Sequence, residues 1–271
     1  MTTPATGTRG AVLVSATTGK KAEPYVAALV AAGVPGESIR VVASAAMFSA
    51  GTTAAAAATA AGELAAGAAG LVLCGGADVD PRRYGEETLP GAGVEPLPER
   101  DALEWELLAA ARGRRLPVWA VCRGFQMLNV FFGGSLWQDL PLQRPTAVVH
   151  DPDEAPHDLQ VHALRVLAPE APLGARLAAA GPAPRVNSRH HQGVKRLGDG
   201  LLAVAAAEDG LIEAAVLGGG PGGPSAIGAG AADGDGWWVR GVEWHPENLL
   251  ALPEQLALWQ DFAAALRARR A

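Results

Sequence analysis

The sequence predicts an α/β protein with a mostly parallel sheet, helices on both faces and a small antiparallel addition. Short apolar runs typical of buried parallel strands alternate with helical segments from the start of the chain. One such run leads into a cysteine at a predicted strand-to-helix turn, and two later runs fit a hairpin added to the sheet. A chain of 271 residues can bury a substantial core, and we predict a single domain over residues 1–271.

The first elements alternate between strand and helix. Residues 11–15 are predicted as a strand, residues 24–32 as a helix that ends at Gly33, and residues 39–43 as a second strand. The alanine-rich stretch 52–69 favours a helix but has few bulky side chains. We therefore expect it to cover an edge of the sheet and to have no part in chemistry.

The next strand, residues 71–73, runs directly into the pair Gly75-Gly76. Residues 79–100 are irregular and contain several prolines and acidic residues, which predicts a loop over a site. Residues 101–104 have the pattern of a capping box, so a helix is expected to start there. Three leucines give that helix an apolar face: Leu103, Leu107 and Leu108.

Residues 116–121 form an apolar run that ends at Cys122, and helical spacing of bulky side chains continues over residues 127–132. This context is typical of a nucleophile elbow, in which Gly124 allows the strand and helix to pack closely. The helix N-terminus is expected to favour the thiolate form of Cys122. The alternative for this residue alone is a buried core cysteine.

The rest of the chain is predicted as a loop, three strands, a second loop and a closing amphipathic helix. The second loop contains nine glycines in nineteen residues and is expected to be flexible. It could affect the dynamics of the strand that follows, or be an inert surface loop. These six segments are residues 141–156, 159–167, 201–206, 212–217, 218–236 and 256–269.

Near the C-terminus, His245 and Glu247 are two residues apart in a segment predicted to be extended. Side chains with this spacing point to the same face, and Pro246 keeps the segment from becoming helical. The pair predicts a catalytic base and the carboxylate that orients it, with Glu243 as a rival orienting group. A solvated pair at a strand end is the alternative for an isolated match.

The glycine pair after the third strand allows the close backbone approach that an oxyanion hole needs. The backbone N–H of Gly76 could act together with that of Arg123 to hold a tetrahedral oxyanion. A plain tight turn is the alternative for this pair.

Composition excludes several classes of partner. A net charge of −6 with three lysines leaves no basic stripe for nucleic acid. No apolar run reaches the ~20 residues that span a bilayer, and residues 1–10 do not resemble a secretory leader, so we expect a cytoplasmic protein without membrane contact. No metal-ligand spacing or phosphate-cradling loop is present, so no metal or other cofactor is expected. Cys74 could be a redox partner of Cys122 or a buried structural thiol.

A Cys-x-Gly-x-Gln elbow at 122–126, followed much later by His-Pro-Glu at 245–247, resembles the class I glutamine amidotransferase superfamily. The chain is most similar to the gamma-glutamyl-gamma-aminobutyrate hydrolase-like branch. Four segments point to this branch: residues 75–86, the pair Arg100-Asp101, residues 129–140 and residues 186–192. The resemblance implies a flavodoxin-like sheet with the site at the carboxyl ends of its strands.

The resemblance also implies a function, which is hydrolysis of a gamma-glutamyl amide to glutamate and free amine through a glutamyl thioester. The best candidate substrate is gamma-glutamyl-gamma-aminobutyrate, which would place the protein in putrescine degradation. The residues implied are Cys122, His245 and Glu247 for catalysis, Gly76 and Arg123 for the oxyanion, Gln126, Asn187, Ser188 and His190 for the glutamyl group, and Asp78, with Arg82 and Tyr84, for the amine side.

Two other functions stay open at this point. A glutaminase subunit that supplies ammonia to a partner synthase would use the same three catalytic residues. A regulatory protein on the same fold would not need them. The sequence does not indicate which amine the substrate carries, or whether the protein forms oligomers.

Overall fold

One sheet of eleven strands organises the computed structural model, which describes residues 10–47, 53–218 and 236–269. Numbered along the chain, the strands are β1 (Ala11–Ala16), β2 (Ile39–Ala43), β3 (Ala68–Leu73), β4 (Val118–Val121), β5 (Ser135–Trp137), β6 (His162–Val166), β7 (Arg185–Val186), β8 (Gly193–Arg196), β9 (Leu201–Ala207), β10 (Ile212–Leu217) and β11 (Val239–Val242).

Eight α-helices and three short 3-10 turns lie in the same described ranges. The helices are α1 (Gly19–Ala31), α2 (Ser44–Met47), α3 (Ala54–Ala66), α4 (Pro98–Arg114), α5 (Arg123–Phe131), α6 (Leu140–Gln143), α7 (Pro172–Ala179) and α8 (Pro253–Ala268). The 3-10 turns are Gly36–Ser38, Pro81–Tyr84 and Pro246–Asn248.

The sheet has a parallel half and an antiparallel half that meet at β11. The strand order is β2-β1-β3-β4-β11-β10-β9-β6-β7, with parallel pairing from β2 to β11 and antiparallel pairing beyond it. Strand β8 pairs with β10 and with β5, off this main path. The predicted fold class is confirmed, and the antiparallel addition contains more strands than the sequence indicated.

Helices bury apolar side chains on both faces of the sheet. On one face, α1, α7 and α8 cover a cluster that includes Trp119, Trp259 and Phe262. On the other face, α3, α4 and α5 cover a cluster that includes Leu103 and Phe125. The strands between them are buried on both sides, which explains why they appear in the sequence as continuous apolar runs.

Several element boundaries differ from the sequence prediction. Helix α1 begins at Gly19, because the Thr18 side chain accepts a hydrogen bond from the Lys21 amide and caps the first turn. The alanine-rich helix α3 ends at Ala66, and Ala68 already belongs to the buried strand β3. Alanine fits both elements, so burial between β1 and β4, rather than helix propensity, decides where the strand begins.

The predicted capping box at residues 101–104 is wrong. Helix α4 begins three residues earlier, at Pro98, which suits the first helical position because it needs no amide partner there. Asp101 and Glu104 therefore lie inside the helix, where both are fully buried. The expected apolar face of the three leucines is confirmed.

Six helices and strands of the described residues had no counterpart in the sequence prediction: α2, α6, α7, β5, β7 and β8. Helix α6 lies at the start of the predicted loop 141–156, so the first residues of that loop prediction are wrong. The three strands have two to four residues each, too few to show an alternating pattern. The predicted glycine-rich loop at 218–236 lies outside the described residues except for its two end glycines. None of the helices in the described part is both long and apolar enough to cross a bilayer.

Candidate active site

Cys122 occupies the sharp turn between β4 and α5. Its backbone has φ 52° and ψ −117°, a left-handed conformation that is rare for a residue other than glycine. A Cβ atom on Gly124 would overlap the carbonyl oxygen of Leu73 in β3, so only glycine fits this crossing. The strand, turn and helix of the predicted nucleophile elbow are confirmed.

His245 and Glu247 meet across the 3-10 turn Pro246–Asn248. Nδ1 of His245 donates to Oε1 of Glu247 over 2.7 Å, which leaves Nε2 to accept a proton. The segment was predicted to be extended, and that is wrong, because Pro246 opens a turn instead of prolonging β11. Glu243 does not bond to the imidazole of His245; it accepts a hydrogen bond from Gln126 over 2.5 Å. Glu247 is therefore the carboxylate that orients the imidazole.

The thiol and the imidazole converge on Gly75, at the carboxyl end of β3. A Cβ atom on Gly75 would lie 2.9 Å from Cε1 of His245, 3.0 Å from the Tyr25 oxygen and 3.5 Å from Cβ of Cys122. Elements far apart in the sequence, α1, β3, β4 and the segment after β11, thus bring these groups to one point. Cys122, His245 and Glu247 are each at most 6% exposed.

Burial raises the pKa of the Cys122 thiol well above its ordinary value, and the carboxylates of Glu243 and Glu247 raise it further. The Arg123 amide at the helix start lowers this pKa, but by less. The predicted thiolate is therefore wrong for the resting protein. The sulfur carries its proton until a base removes it.

The turn after β3 is held by two arginine side chains. Arg100 donates to the carbonyl oxygens of Cys74 (2.7 Å) and Gly75 (3.1 Å), and Arg123 donates to that of Ala77 (3.1 Å). The Gly75 amide donates to the Tyr25 oxygen over 2.9 Å. These hydrogen bonds hold the backbone on both sides of Gly76, which has φ 148°.

The two predicted oxyanion donors, the amides of Gly76 and Arg123, differ in their contacts. The Gly76 amide makes no hydrogen bond to any described residue, and the Arg123 amide faces the Cys122 sulfur. Gly76 directly follows Gly75, whose Cβ position lies 3.5 Å from Cβ of Cys122, and Arg123 directly follows Cys122 in the first turn of α5. The arrangement allows them to hold a negatively charged oxygen.

A fully buried ionic network supports this turn, and sequence reasoning missed its role. Arg123 pairs with Asp101 and Glu104, Arg100 pairs with Glu104 over 2.9 Å, and the Ser15 hydroxyl donates to Glu104 over 2.8 Å. Burial and the neighbouring Arg100 lower the pKa of Arg123 to about 9. The i,i+4 spacing of Arg100 and Glu104 was the available signal, but such spacing usually marks a solvated helix face.

Two of the residues predicted to contact the glutamyl group form hydrogen bonds to other residues of the protein. Gln126 donates to Glu243. Asn187 accepts from the His245 amide over 3.0 Å and donates to the His245 carbonyl over 3.0 Å and to the His157 carbonyl over 2.7 Å. Asn187 therefore positions the backbone of His245.

The remaining predicted contacts lie further out. The Ser188 hydroxyl donates to the carbonyl of His150 over 2.5 Å. Asp78 pairs with His191 at 3.1 Å and accepts from the Glu95 amide. His190 is buried among two other histidines and Glu213. Arg82, on the predicted amine side, pairs with Asp80 instead. Substrate contact by these residues stays a prediction.

Cys74 and Cys122 are both free, and burial raises the pKa of Cys74. No disulfide joins the two in the described chain. Cys74 is completely buried, and its carbonyl oxygen is held by Arg100. These contacts favour the structural role for this thiol.

Comparison with known proteins gives a consistent result. The peptidase C26 family profile matches residues 13–247. The chain is 37% identical over 180 residues to a glutamine amidotransferase-like protein of Lactococcus lactis, covering 65% of each chain. It is 34% identical over 188 residues to gamma-glutamyl-gamma-aminobutyrate hydrolase of Escherichia coli O157:H7, covering 66% of this chain and 63% of that protein. The chain thus spans slightly less than two thirds of these relatives' lengths.

A solved structure shares the fold at low sequence identity. A glutamine amidotransferase of Thermotoga maritima superposes with a TM-score of 0.54 and 12% identity, covering 96% of this chain and 97% of that one. The agreement supports a class I glutamine amidotransferase fold.

Proposed function

This chain belongs to the peptidase C26 family, and from that premise we propose that it is a cysteine-dependent hydrolase of gamma-glutamyl amides. The family supports amide hydrolysis in general. The finer proposal is that the enzyme releases glutamate and a free amine from a gamma-glutamyl amine. Gamma-glutamyl-gamma-aminobutyrate is the best candidate substrate, which would connect the protein to putrescine degradation.

One observation supports the proposal more than any other, which is the convergence at Gly75. A thiol on a sharp turn and an imidazole meet at Gly75, and the amides of Gly76 and Arg123 directly follow the two residues that meet there, Gly75 and Cys122. The Glu247 carboxylate fixes the tautomer of His245 so that Nε2 is free to accept a proton. A nucleophile, a base and oxyanion donors are the groups that acyl transfer requires.

In the first half of the reaction, His245 takes the thiol proton while the Cys122 sulfur bonds to the gamma-carbonyl carbon. The oxyanion of the tetrahedral intermediate accepts hydrogen bonds from the Gly76 and Arg123 amides, and one such donor typically contributes about 3 kcal/mol. When the carbon–nitrogen bond breaks, His245 returns its proton to the departing amine. A glutamyl thioester remains on Cys122.

In the second half, His245 removes a proton from water, and the resulting hydroxide attacks the thioester carbonyl. The carbon–sulfur bond then breaks, and the sulfur recovers a proton from His245. The products are glutamate and the original thiol.

The first test is glutamate release from a panel of gamma-glutamyl amides and free glutamine. Wild type is compared with Cys122→Ala and with Cys74→Ala, which removes the other buried thiol. We expect hydrolysis of a larger gamma-glutamyl amide by wild type and Cys74→Ala, with loss in Cys122→Ala. Activity on glutamine alone would favour a glutaminase subunit, and full activity in Cys122→Ala would exclude the proposed nucleophile.

A further inference from the structure

A second cluster of reactive groups lies in the antiparallel half of the sheet. It consists of three histidines and a glutamate, contributed by the loop after α6, strand β6, the β7–β8 connection and strand β10. All four residues are at most 5% exposed: His150, His162, His190 and Glu213. His190 is also one of the predicted glutamyl contacts, and the other three have no role in the proposed reaction.

The four side chains point one ligand atom each towards a common centre. Oε1 of Glu213 lies 3.5 Å from Nδ1 of His150, 3.7 Å from Nε2 of His162 and 3.6 Å from Nε2 of His190. All four atoms lie within 4.8 Å of one another. These separations exceed ordinary hydrogen-bond lengths, and none of the four atoms has a hydrogen-bond partner among the described residues.

Each imidazole is oriented by an oxygen at its other nitrogen. Nε2 of His150 lies 3.2 Å from a carboxylate oxygen of Asp209, and Nδ1 of His190 lies 2.8 Å from the Gln192 carbonyl. Nδ1 of His162 lies 3.3 Å from the Ala163 carbonyl. Because these oxygens accept hydrogen bonds, a proton on each outer nitrogen would leave the inner nitrogen free to bind an ion. Histidine ligands of metals are oriented in this way.

Glu213 contributes the carboxylate of this cluster. Both of its carboxylate oxygens are buried without a hydrogen-bond donor among the described residues. An isolated buried carboxylate is costly, and the three imidazole nitrogens that face Glu213 lie 3.5–3.7 Å from its Oε1, too far for good hydrogen bonds. A cation at the centre would satisfy all four atoms at once.

We propose that His150, His162, His190 and Glu213 bind one divalent transition-metal ion, with Zn²⁺ as the best match. Three imidazole nitrogens and one carboxylate oxygen form a typical four-coordinate zinc set, with bonds of about 2.0–2.2 Å. A regular tetrahedron with such bonds has edges of roughly 3.3–3.6 Å, close to the separations from Glu213. Ca²⁺ and Mg²⁺ need six or more ligands, mostly oxygen, and fit this set poorly.

The surface offers an approach to the centre. A cavity of about 390 Å³ is lined by the chain from Leu140 to Asp151 and by His190 and His191. Two of the proposed ligands, His150 and His190, thus border a space open to solvent.

Binding would stabilise the segment that holds the catalytic histidine. The His190 amide and the Ser188 hydroxyl both donate to the His150 carbonyl, at 3.1 Å and 2.5 Å. Asn187, which hydrogen-bonds to the backbone amide and carbonyl of His245, directly precedes Ser188. The metal would therefore be a structural ion that fixes the 187–190 segment, and this inference does not depend on the proposed reaction.

The direct test is the metal content of protein purified without a metal-affinity tag, measured by inductively coupled plasma mass spectrometry. We expect about one zinc per chain in wild type and a background level in His162→Ala and Glu213→Gln. His157→Ala is the matched control, because it removes an exposed histidine outside the cluster. Cys122→Ala should also keep its metal, which separates this site from a metal bound at the catalytic thiol.

A second readout decides the question if the ligand variants fail to fold. Wild type is stripped with a chelator and titrated with Co²⁺, which should give the strong visible absorption of a tetrahedral site at one equivalent. Adding Zn²⁺ should raise the melting temperature and abolish that absorption. The proposal is overturned if stripped wild type takes up neither ion stoichiometrically, if His162→Ala binds as much metal as wild type, or if Cys122→Ala loses the metal.

Discussion

At the scale of single residues, the proton on Cys122 would control when the proposed nucleophile becomes active. Burial and two nearby carboxylates stabilise the neutral thiol more than the helix N-terminus stabilises the thiolate. His245, whose tautomer is fixed by Glu247, is the nearby group able to remove that proton. Deprotonation and attack are therefore expected to be coupled, so the protein does not hold a reactive thiolate in advance.

This coupling predicts the pH dependence of alkylation. Because the pKa of Cys122 is raised, its thiol stays protonated as the pH rises through the range in which free cysteine ionises. The rate of iodoacetamide modification of the substrate-free enzyme should still be increasing where that of free cysteine has levelled off. Cys122→Ala provides the background from Cys74. A rate that reaches its plateau near neutral pH would contradict this account.

The two carboxylates near the thiol should respond differently to neutralisation. Glu247→Gln replaces the carboxylate with an amide whose NH2 can donate to Nδ1 and fix the wrong tautomer of His245, and we expect kcat to fall about 10³- to 10⁴-fold. Glu243→Gln should change kcat by less than about tenfold, because Glu243 bonds to Gln126 and makes no contact with the His245 imidazole. Steady-state kinetics of both variants measure this difference in kcat. Equal losses of kcat would support Glu243 as the group that orients His245.

At the scale of elements, the close crossing of β3 and α5 sets the position of the elbow. The carbonyl of Leu73 occupies the space where any residue larger than glycine at position 124 would place its Cβ atom. A larger residue must push the helix away from the strand. The first turn of α5 carries the Arg123 amide, so such a shift also moves an oxyanion donor.

Gly124→Ala is therefore expected to lower the free energy of unfolding by about 1–3 kcal/mol. Gly113→Ala is the matched control, since this glycine lies exposed in α4 and a Cβ atom added to it would meet no other atom within 4 Å. The control should be unchanged or stabilised by up to about 1 kcal/mol. Urea unfolding measures both, and equal effects of the two substitutions would show that the crossing is not tight.

The sequence predicted elements whose pattern is local and failed where burial decides. Strands β2 and β10 match their predicted spans, because each is a short apolar run with clear limits. The starts of β3 and α4 differ from prediction, since alanine fits either element and Asp101 and Glu104 pair with a distant arginine. Helix and strand propensities are local, so they do not include ion-pair partners that folding brings together from distant parts of the chain.

The same distinction applies to the candidate sites. Cys122, His245 and Glu247 were found because short motifs mark the turns that carry them. The arginines that hold the β3 turn, and the cluster around Glu213, have no such motif. The cluster's four members come from four separate segments, so no spacing of the kind seen in zinc fingers exists between them.

At the scale of the whole molecule, β11 joins the two halves and both candidate sites. Its parallel partner β4 leads to Cys122, and its antiparallel partner β10 carries Glu213. The Glu243 amide, just after β11, donates to the Glu213 carbonyl over 2.7 Å. Changes in the proposed metal site therefore have a direct backbone route to the segment that delivers His245.

The position of β11 also has a consequence for how the protein is made. This strand is an interior strand of the sheet, yet it follows all the other described strands in the sequence. While the ribosome is still producing the earlier residues, β4 and β10 lack the neighbour that joins them, and the thiol turn exists without its proposed base. The proposed catalytic site is therefore expected to form only after residues 239–247 have been synthesised.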